Sequence, residues 1–597
     1  MKPLSSMKFI INLTQSFFST WALMKAARME PGNIIGFIFF LLCMFFYQRI
    51  ESRLMETPLC NNKTSSRTAC VIAVLFTVLY MAVDYQNYIS TLTNPLFRIG
   101  IIAFVFLGFC ILFYKLVLLL FSYTGNPDWI NRLLFTEKSS VPAFYQKHTV
   151  LCSFLLCMLG WLPYFLYQYP GIMTPDSINQ FEQVLNLIPY SNHHPWMHTL
   201  LFKLFYTIGH SLTGSMLVGV SFYTFFQMCL LAFSAAYFIG TLKDYQIKPG
   251  ICFIIALFYA LVPYHAVFSV TLWKDIPFAA AFLLFLTSML RFYQKVRPGD
   301  LTLFIISGIM LCLFRSNGWY GFLLCFPFLL FFFRKQAKLF FPALFAILFT
   351  AIIIKYPVMN HYHVTQPDFI ESLSVPTQQI AAVICNDRPL SEEQLALIES
   401  VVDLTYIKDL YVPGFADNMK ELVRAGNQDY LISHKKEFLM LWIELGLKYP
   451  GDYITAYINQ TLGYWYPDSF YLVAEAEGIS ASSLGVSHTP LIGGPIVVKL
   501  KEIAIKLGSM VPLYGILWSM GAVCWIMIFC IGNCLIRREY PKLILYLPGT
   551  ALLLSVLIAT PVATEFRYVY FLVFALPFFL GVSLLPLPGP NAQTREK

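Results

Sequence analysis

Asp176 stands in Thr-Pro-Asp-Ser just after a Pro-Gly turn, and His193 and His194 follow ahead of Pro195 and Trp196. All three fall in a polar stretch, 168–198, between strongly apolar segments. A carboxylate in such a loop can accept or orient the proton of an attacking hydroxyl or amine. Three further pairs stand at the ends of apolar runs: Lys274 with Asp275, Arg315 with Asn317, and Glu565 with Arg567. A departing phosphate needs cations or hydrogen-bond donors where its charge develops. A guanidinium fork or a point ammonium suits it, which makes Lys274, Arg315 and Arg567 the candidates. Apolar spans rich in Phe, Leu and Ile would supply a groove for a lipid tail. No Gly-rich phosphate loop is present, which disfavours a soluble nucleotide donor.

Each group also has a structural reading. Asp176 follows Pro175 and suits the N-cap of a helix beginning at Ser177, a role compatible with catalysis. His193 and His194 are metal ligands or hydrogen-bonding groups for a sugar or phosphate. Adjacent residues rarely face one ion and no second ligand pair is visible, so a divalent cation stays open but is not implied. Lys274–Asp275 also reads as a charge pair at a helix start. Arg315 and Arg567 also read as membrane-edge anchors, and Arg567 with Glu565 as a surface ion pair.

The elements that must position these groups are membrane spans. The chain has 597 residues, 58% hydrophobic and 12% charged, with mean hydropathy +0.64. Soluble domains carry roughly 25% charged residues, so an ordinary soluble globule is excluded. The net charge of +9 lies in short basic clusters between apolar runs. Positive-inside topology accounts for them better than nucleic-acid binding, which is not expected. The cysteines lie almost all in or beside apolar segments, without a CxxC pair, and read as small buried hydrophobes. No removable signal peptide is expected.

The fold class expected is an all-α polytopic membrane protein with about 12–14 transmembrane helices. Residues 1–146 hold N-terminal spans, with 9–24 read as an interfacial helix or a poor span. Residues 147–356 form a transmembrane module whose first outer loop is 168–198. Residues 357–509 form a mostly helical polar region, and 510–597 hold the last spans and a short disordered tail. Within the polar region, Ser391 with Gln394 forms a capping box opening a helix at 392–402. Further helices are expected over 428–449 and from Gly451 to Tyr464.

Lys243/Lys248, Arg291/Lys295/Arg297, Arg334/Lys335/Lys338 and Arg537/Arg538/Lys542 occupy alternate loops. The positive-inside rule puts them in the cytoplasm. Counting spans then gathers five others on the opposite face: 168–198, Trp273-Lys274-Asp275, Arg315-Ser316-Asn317-Gly318, 357–509, and Thr564-Glu565-Phe566-Arg567.

An acidic residue in the first large outer loop, followed by His194-Pro195-Trp196 and an apolar helix, resembles the polytopic GT-C glycosyltransferases. The nearest pattern is that of the protein O-mannosyltransferase and aminoarabinose transferase group. The Lys-Asp-Ile-Pro at 274–277 and the Arg567-Tyr568 pair are similar to elements of such enzymes. The chain as a whole resembles a bacterial family of uncharacterised membrane proteins related to them. The resemblance implies a bacterial cytoplasmic-membrane protein with an extracytoplasmic active site. It implies a polyprenyl-phosphate sugar donor, an envelope glycan, lipid or protein acceptor, and inversion at the anomeric carbon. Asp176 takes the catalytic position, and His193, His194, Lys274, Asp275, Arg315, Asn317, Glu565 and Arg567 the substrate-binding ones. Two departures stand out: Ser177 replaces a second acid, and Trp196 a second proline. The competing reading is a polytopic transporter or lipid flippase. Transporters place ionisable groups near the bilayer midplane, often within internal repeats, whereas here they gather at span ends and no repeat is seen. A third reading, a non-enzymatic envelope scaffold, gives no reason for polar clusters converging on one face.

Overall fold

Helix Asp275–Arg291 is apolar along its length and buried from Asp275 through Leu290. A helix apolar on every face must be surrounded by protein or lipid, and here protein surrounds it. The computed structural model describes residues 6–30, 32–55, 62–90, 92–135, 141–470, 477–559, 561–562 and 565–587. Around the central helix pack Met216–Asp244, Pro298–Phe314 and Tyr570–Phe574. Ring contacts lock them: Phe285 on Phe304 at 4.6 Å, and Phe282 on Phe571 at 4.9 Å.

The protein is an all-helical polytopic membrane protein. Among the described residues there is no sheet, only isolated bridges. Among the described residues, seven segments are long and apolar enough to cross a membrane, or eight if Pro249–Leu261 and Pro263–Ser269, bent by 59°, form one span. The bend falls at Pro263, whose ring cannot continue the preceding helix. One of the seven, Ser316–His361, runs 46 residues, twice what a single crossing needs. Phe326 and Phe345 stand 5.4 Å apart across it, so it folds back on itself near Arg334–Gln336. The 12–14 crossings expected from sequence also count shorter apolar helices such as Pro298–Phe314, Met520–Ile536 and Leu547–Ala559.

The N-terminal helix Ser6–Ala26 turns its polarity inward. Asn12, Ser16, Ser19 and Thr20 are buried, while Phe9, Ile10, Leu13 and Phe17 are exposed. Asn12 donates to Glu51 (3.1 Å) and Tyr47 to Ser19 (2.6 Å). Polar groups facing neighbouring helices and apolar groups facing out are what a lipid surround selects. The 9–24 stretch is thus a helix packed beside Ile34–Leu54 and Pro95–Thr124.

In the polar region the capping box is present: Ser391 Oγ accepts from the Gln394 backbone and Gln394 reaches back to the Ser391 backbone. The helix it opens is Glu392–Glu399. The helix expected over 428–449 is two, Gln428–Ser433 and Lys435–Lys448, broken at His434. The one expected from Gly451 to Tyr464 is Pro450–Thr461, followed by a 3-10 turn. The chain after the polar region differs from expectation. Pro495–Met510 is helical, and the next apolar helix begins only at Met520. The tail at 588–597 and Thr564 lie outside the described residues.

Candidate functional site

The site is assembled by backbone pairing. Residues 172–173 run between two other segments, with Ile172 bridged to Thr271 and Met173 to Ile479, both in parallel. Ile172 N donates to Val270 O (2.9 Å), Leu272 N to Ile172 O (3.0 Å), and Met173 N to Gly478 O (2.9 Å). Gly171, at φ 147, sits against Leu272 and Thr224, where an added Cβ would lie 2.5 Å from either. From this parallel start the two chains advance together. One reaches Asp176 and the other Lys274. Side chains repeat the stitch: Trp273 Nε1 donates to Thr174 Oγ1 (2.8 Å) and Ser177 Oγ to Leu272 O (2.7 Å).

Asp176 is not the N-cap. The helix is Pro175–Val184 with Thr174 before it, because Pro175 is preorganised for the first turn. Asp176 lies in that first turn, where the helix dipole favours a negative charge. Arg567 Nη1 donates to Asp176 Oδ2 at 2.8 Å, and its Nε donates to Glu565 Oε2 at 2.9 Å. The guanidinium also stacks 4.8 Å from the Trp273 ring. His194 Nδ1 stands 4.0 Å from Asp176 Oδ2 and 3.2 Å from Lys274 Nζ. An ammonium only donates, so Nδ1 accepts and the imidazole proton sits on Nε2.

Burial opposes the charge of Asp176, but Arg567 and Lys274 more than offset it and hold its pKa well below the ordinary carboxylate range. Burial, reinforced by Lys274, pushes the His194 pKa down, and burial does the same to Lys274. Four helix N-termini open here: Pro175–Val184, Trp196–Thr213, Asp275–Arg291 and Ser316–Phe333. The dipoles of helix N-termini favour an anion.

The other expected residues fall into two groups. Arg315 pairs with Asp275 and donates from Nη1 to Tyr568 O (3.1 Å), and its guanidinium lies 4.8 Å from the Tyr568 ring. Asp275 is 2% and Arg315 7% exposed, so this pair braces the turn that carries Arg567. Asn317 is buried in the first turn of Ser316–Phe333. His193 is exposed, with its ring 4.7 Å from that of His194. The structure thus joins Asp176, His194, Lys274, Glu565 and Arg567 in one cluster, sets Arg315 and Asp275 behind it and leaves His193 at its edge. Among the described residues no three of His, Cys, Asp or Glu gather as a metal ligand set.

Sequence reasoning missed a buried relay beneath the acid. His198 Nδ1 meets Gln180 Oε1 (2.9 Å), its Nε2 meets the Tyr223 hydroxyl (2.6 Å), and Gln180 Nε2 donates to Thr199 Oγ1 (2.9 Å). It ties the helix bearing Asp176 to Trp196–Thr213 and Met216–Asp244. The signal was there: Gln180 lies one helical turn past Asp176 on the same face.

The basic loops gather at the other end of the central helix. Arg291 pairs with Asp244 (2.9 Å) and Asp300 (2.8 Å), and Tyr293 donates to Pro541 O (2.6 Å). A helix of 17 residues separates the two ends by about 25 Å at 1.5 Å per residue.

The low affinity of His194 for a proton has a consequence for stability. Below about pH 6.5 an unfolded histidine binds a proton, while folded His194 refuses it. The unfolded state then holds more protons, so stability falls as pH falls. Between pH 6.5 and 5.5 the expected loss from His194 is about 1 kcal/mol. Asp176 stays ionised across this window and does not contribute. Thermal unfolding of the detergent-solubilised protein at both pH values should show a drop, and His194→Asn should make it smaller by about 1 kcal/mol. An equal drop in both proteins would clear His194.

Fold and site together define a multi-pass, all-helical membrane protein with a charged cluster at one end of its helices. A family model described as "Family of unknown function (DUF6020)" matches residues 188–584, more than half of the chain, and the chain belongs to that family. The match takes in His194, Lys274, Asp275, Arg315 and Arg567 and begins after Asp176. No curated protein and no solved structure matches the chain.

Proposed function

We propose that the protein is a membrane glycosyltransferase of the GT-C kind. It moves a sugar, with inversion, from a polyprenyl-phosphate donor to an envelope acceptor on the outer face of the bacterial cytoplasmic membrane. The observation that carries this reading is Arg567 shared between Asp176 (2.8 Å) and Glu565 (2.9 Å), beside Lys274 and His194 where four helices begin. An acid adjoining cations and helix N-termini suits a reaction that takes a proton and releases a phosphate. The separation of this cluster from the basic loops supports the outward orientation.

The pairing of Asp176 with Arg567 also suggests how the acid is switched on. A carboxylate clasped by a guanidinium is a weak base. A donor phosphate would compete for Arg567 and Lys274 and loosen the clasp, raising the proton affinity of Asp176. The acceptor hydroxyl or amine then attacks the anomeric carbon as Asp176 takes its proton. The bond to the phosphate oxygen breaks, and its electron pair leaves with the polyprenyl phosphate. Asp275 and Arg315 hold Tyr568, and through it the Arg567 turn, in place.

Mass spectrometry of envelope glycans and glycolipids, with and without the protein, tests this reading. A sugar-modified species should vanish on deletion and return with the wild-type gene. Unchanged envelope sugars alongside altered solute or lipid distribution would favour the transporter.

A further inference from the structure

The polar region encloses an apolar cavity of about 280 Å³, far from the charged cluster in composition and chemistry. Phe369, Ile380, Ile384, Val401 and Trp442 are among its walls, and Lys435 and Leu439 stand at its rim. Protein interiors are close-packed, and an apolar cavity of roughly 150 Å³ already admits a benzene ring. A space nearly twice that size and almost free of polar groups is suited to a hydrocarbon ligand.

The rim says which one. Helix Lys435–Lys448 leaves Leu439, Met440, Ile443 and Leu447 between 40% and 79% exposed. These residues share one face at helical spacing, and Leu439 belongs both to that face and to the cavity. Exposed apolar stripes mark a contact surface, and in a membrane protein the adjoining leaflet is at hand to cover this one. Lys435 Nζ lies 4.1 Å from the Phe369 ring centroid, so a cation stands over the opening. The cavity is also linked to the charged cluster. Phe369 lines it, and four residues earlier Thr365 pairs with the acid-bearing loop, its N donating to Tyr190 O (3.0 Å) and its O accepting from Asn192 N (2.8 Å), one residue before His193.

We propose that this cavity receives an acyl chain of an anionic membrane lipid, with the Lys435 ammonium on its headgroup phosphate, and that the lipid held there is the sugar acceptor. The acceptor role rests on the transferase reading; the binding does not.

Photolabelling tests it. The full-length protein is placed in phosphatidylcholine nanodiscs with a trace of phosphatidylglycerol carrying a diazirine on one acyl chain, irradiated, and mapped by mass spectrometry. Label is expected on cavity peptides spanning 369–385 and 435–442. Ala381→Phe, which fills the cavity, should cut that label at least fivefold. Leu439→Asp, on the exposed rim, should do the same without touching the interior. Lys435→Glu should reduce labelling by the phosphatidylglycerol probe and spare that by a phosphatidylcholine probe. Label confined to the membrane-spanning helices, or unchanged in both cavity variants, would overturn the proposal in favour of another occupant, such as an apolar side chain of a protein acceptor. Asp176→Asn should leave the label intact, so loss of transfer and loss of lipid binding read out separately. Cavity labelling without any sugar-modified lipid in wild-type membranes would overturn the acceptor role.

Discussion

Asp176→Asn is expected to lower sugar transfer by about 10²- to 10⁴-fold, the range that a positioned proton acceptor contributes. The helices should stay folded. Arg567 keeps Glu565 as a partner (2.9 Å), and Asp176 is about one-third exposed, so its loss leaves no buried ion unpaired. Asparagine keeps the shape and can still accept from Arg567, but it cannot take a proton. Transfer from a polyprenyl-phosphate sugar by the purified variant is the measurement, with its melting curve as the control for folding. Full activity in the variant would reduce Asp176 to a clasp for Arg567.

Arg315→Ala should act through stability. It strands Asp275, 2% exposed, at the start of a helix buried throughout. Its Oδ1 pairs with Arg315, and its Oδ2 is buried without a hydrogen-bond partner among the described residues. Removing one partner of a buried pair costs about 3–5 kcal/mol, whereas replacing both by apolar groups is often neutral. The single variant should therefore unfold at markedly lower denaturant, and Arg315→Met with Asp275→Leu should recover most of the loss. Transfer should fall in the single variant because the Tyr568 carbonyl, 3.1 Å from Arg315, loses its donor and the Arg567 turn loosens. Normal stability in Arg315→Ala with only a raised KM for the donor would instead make Arg315 a direct phosphate contact.

Much of this architecture could be read from residue order because membranes impose composition. Alternating basic loops sorted the polar corners onto one face, and Asp176, Lys274 and Arg567 do meet there. The Ser391–Gln394 capping box was legible because two named side chains suffice to make it. The break at His434 was not, since no proline or glycine marks it. Thr174 rather than Asp176 precedes the helix because Pro175 fixes the first turn, a shift of two residues that sequence alone resolves poorly. The bridges at 172–173 were hidden for a different reason. They pair single residues from segments far apart in the chain, and so leave no periodic pattern. Arg315 read as a phosphate-binding candidate or a membrane-edge anchor because burial is a property of neighbours, and its neighbours Asp275 and Tyr568 come from two other elements.

Those bridges also constrain motion. Met173 spends both backbone groups on 478–480, and Asn192 N donates to Thr365 O (2.8 Å) while Thr365 N donates to Tyr190 O (3.0 Å). The polar region is therefore sewn to the acid-bearing loop near both of its ends. It cannot swing away like a hatch without tearing those seams. The polar region and the acid-bearing loop travel as one piece.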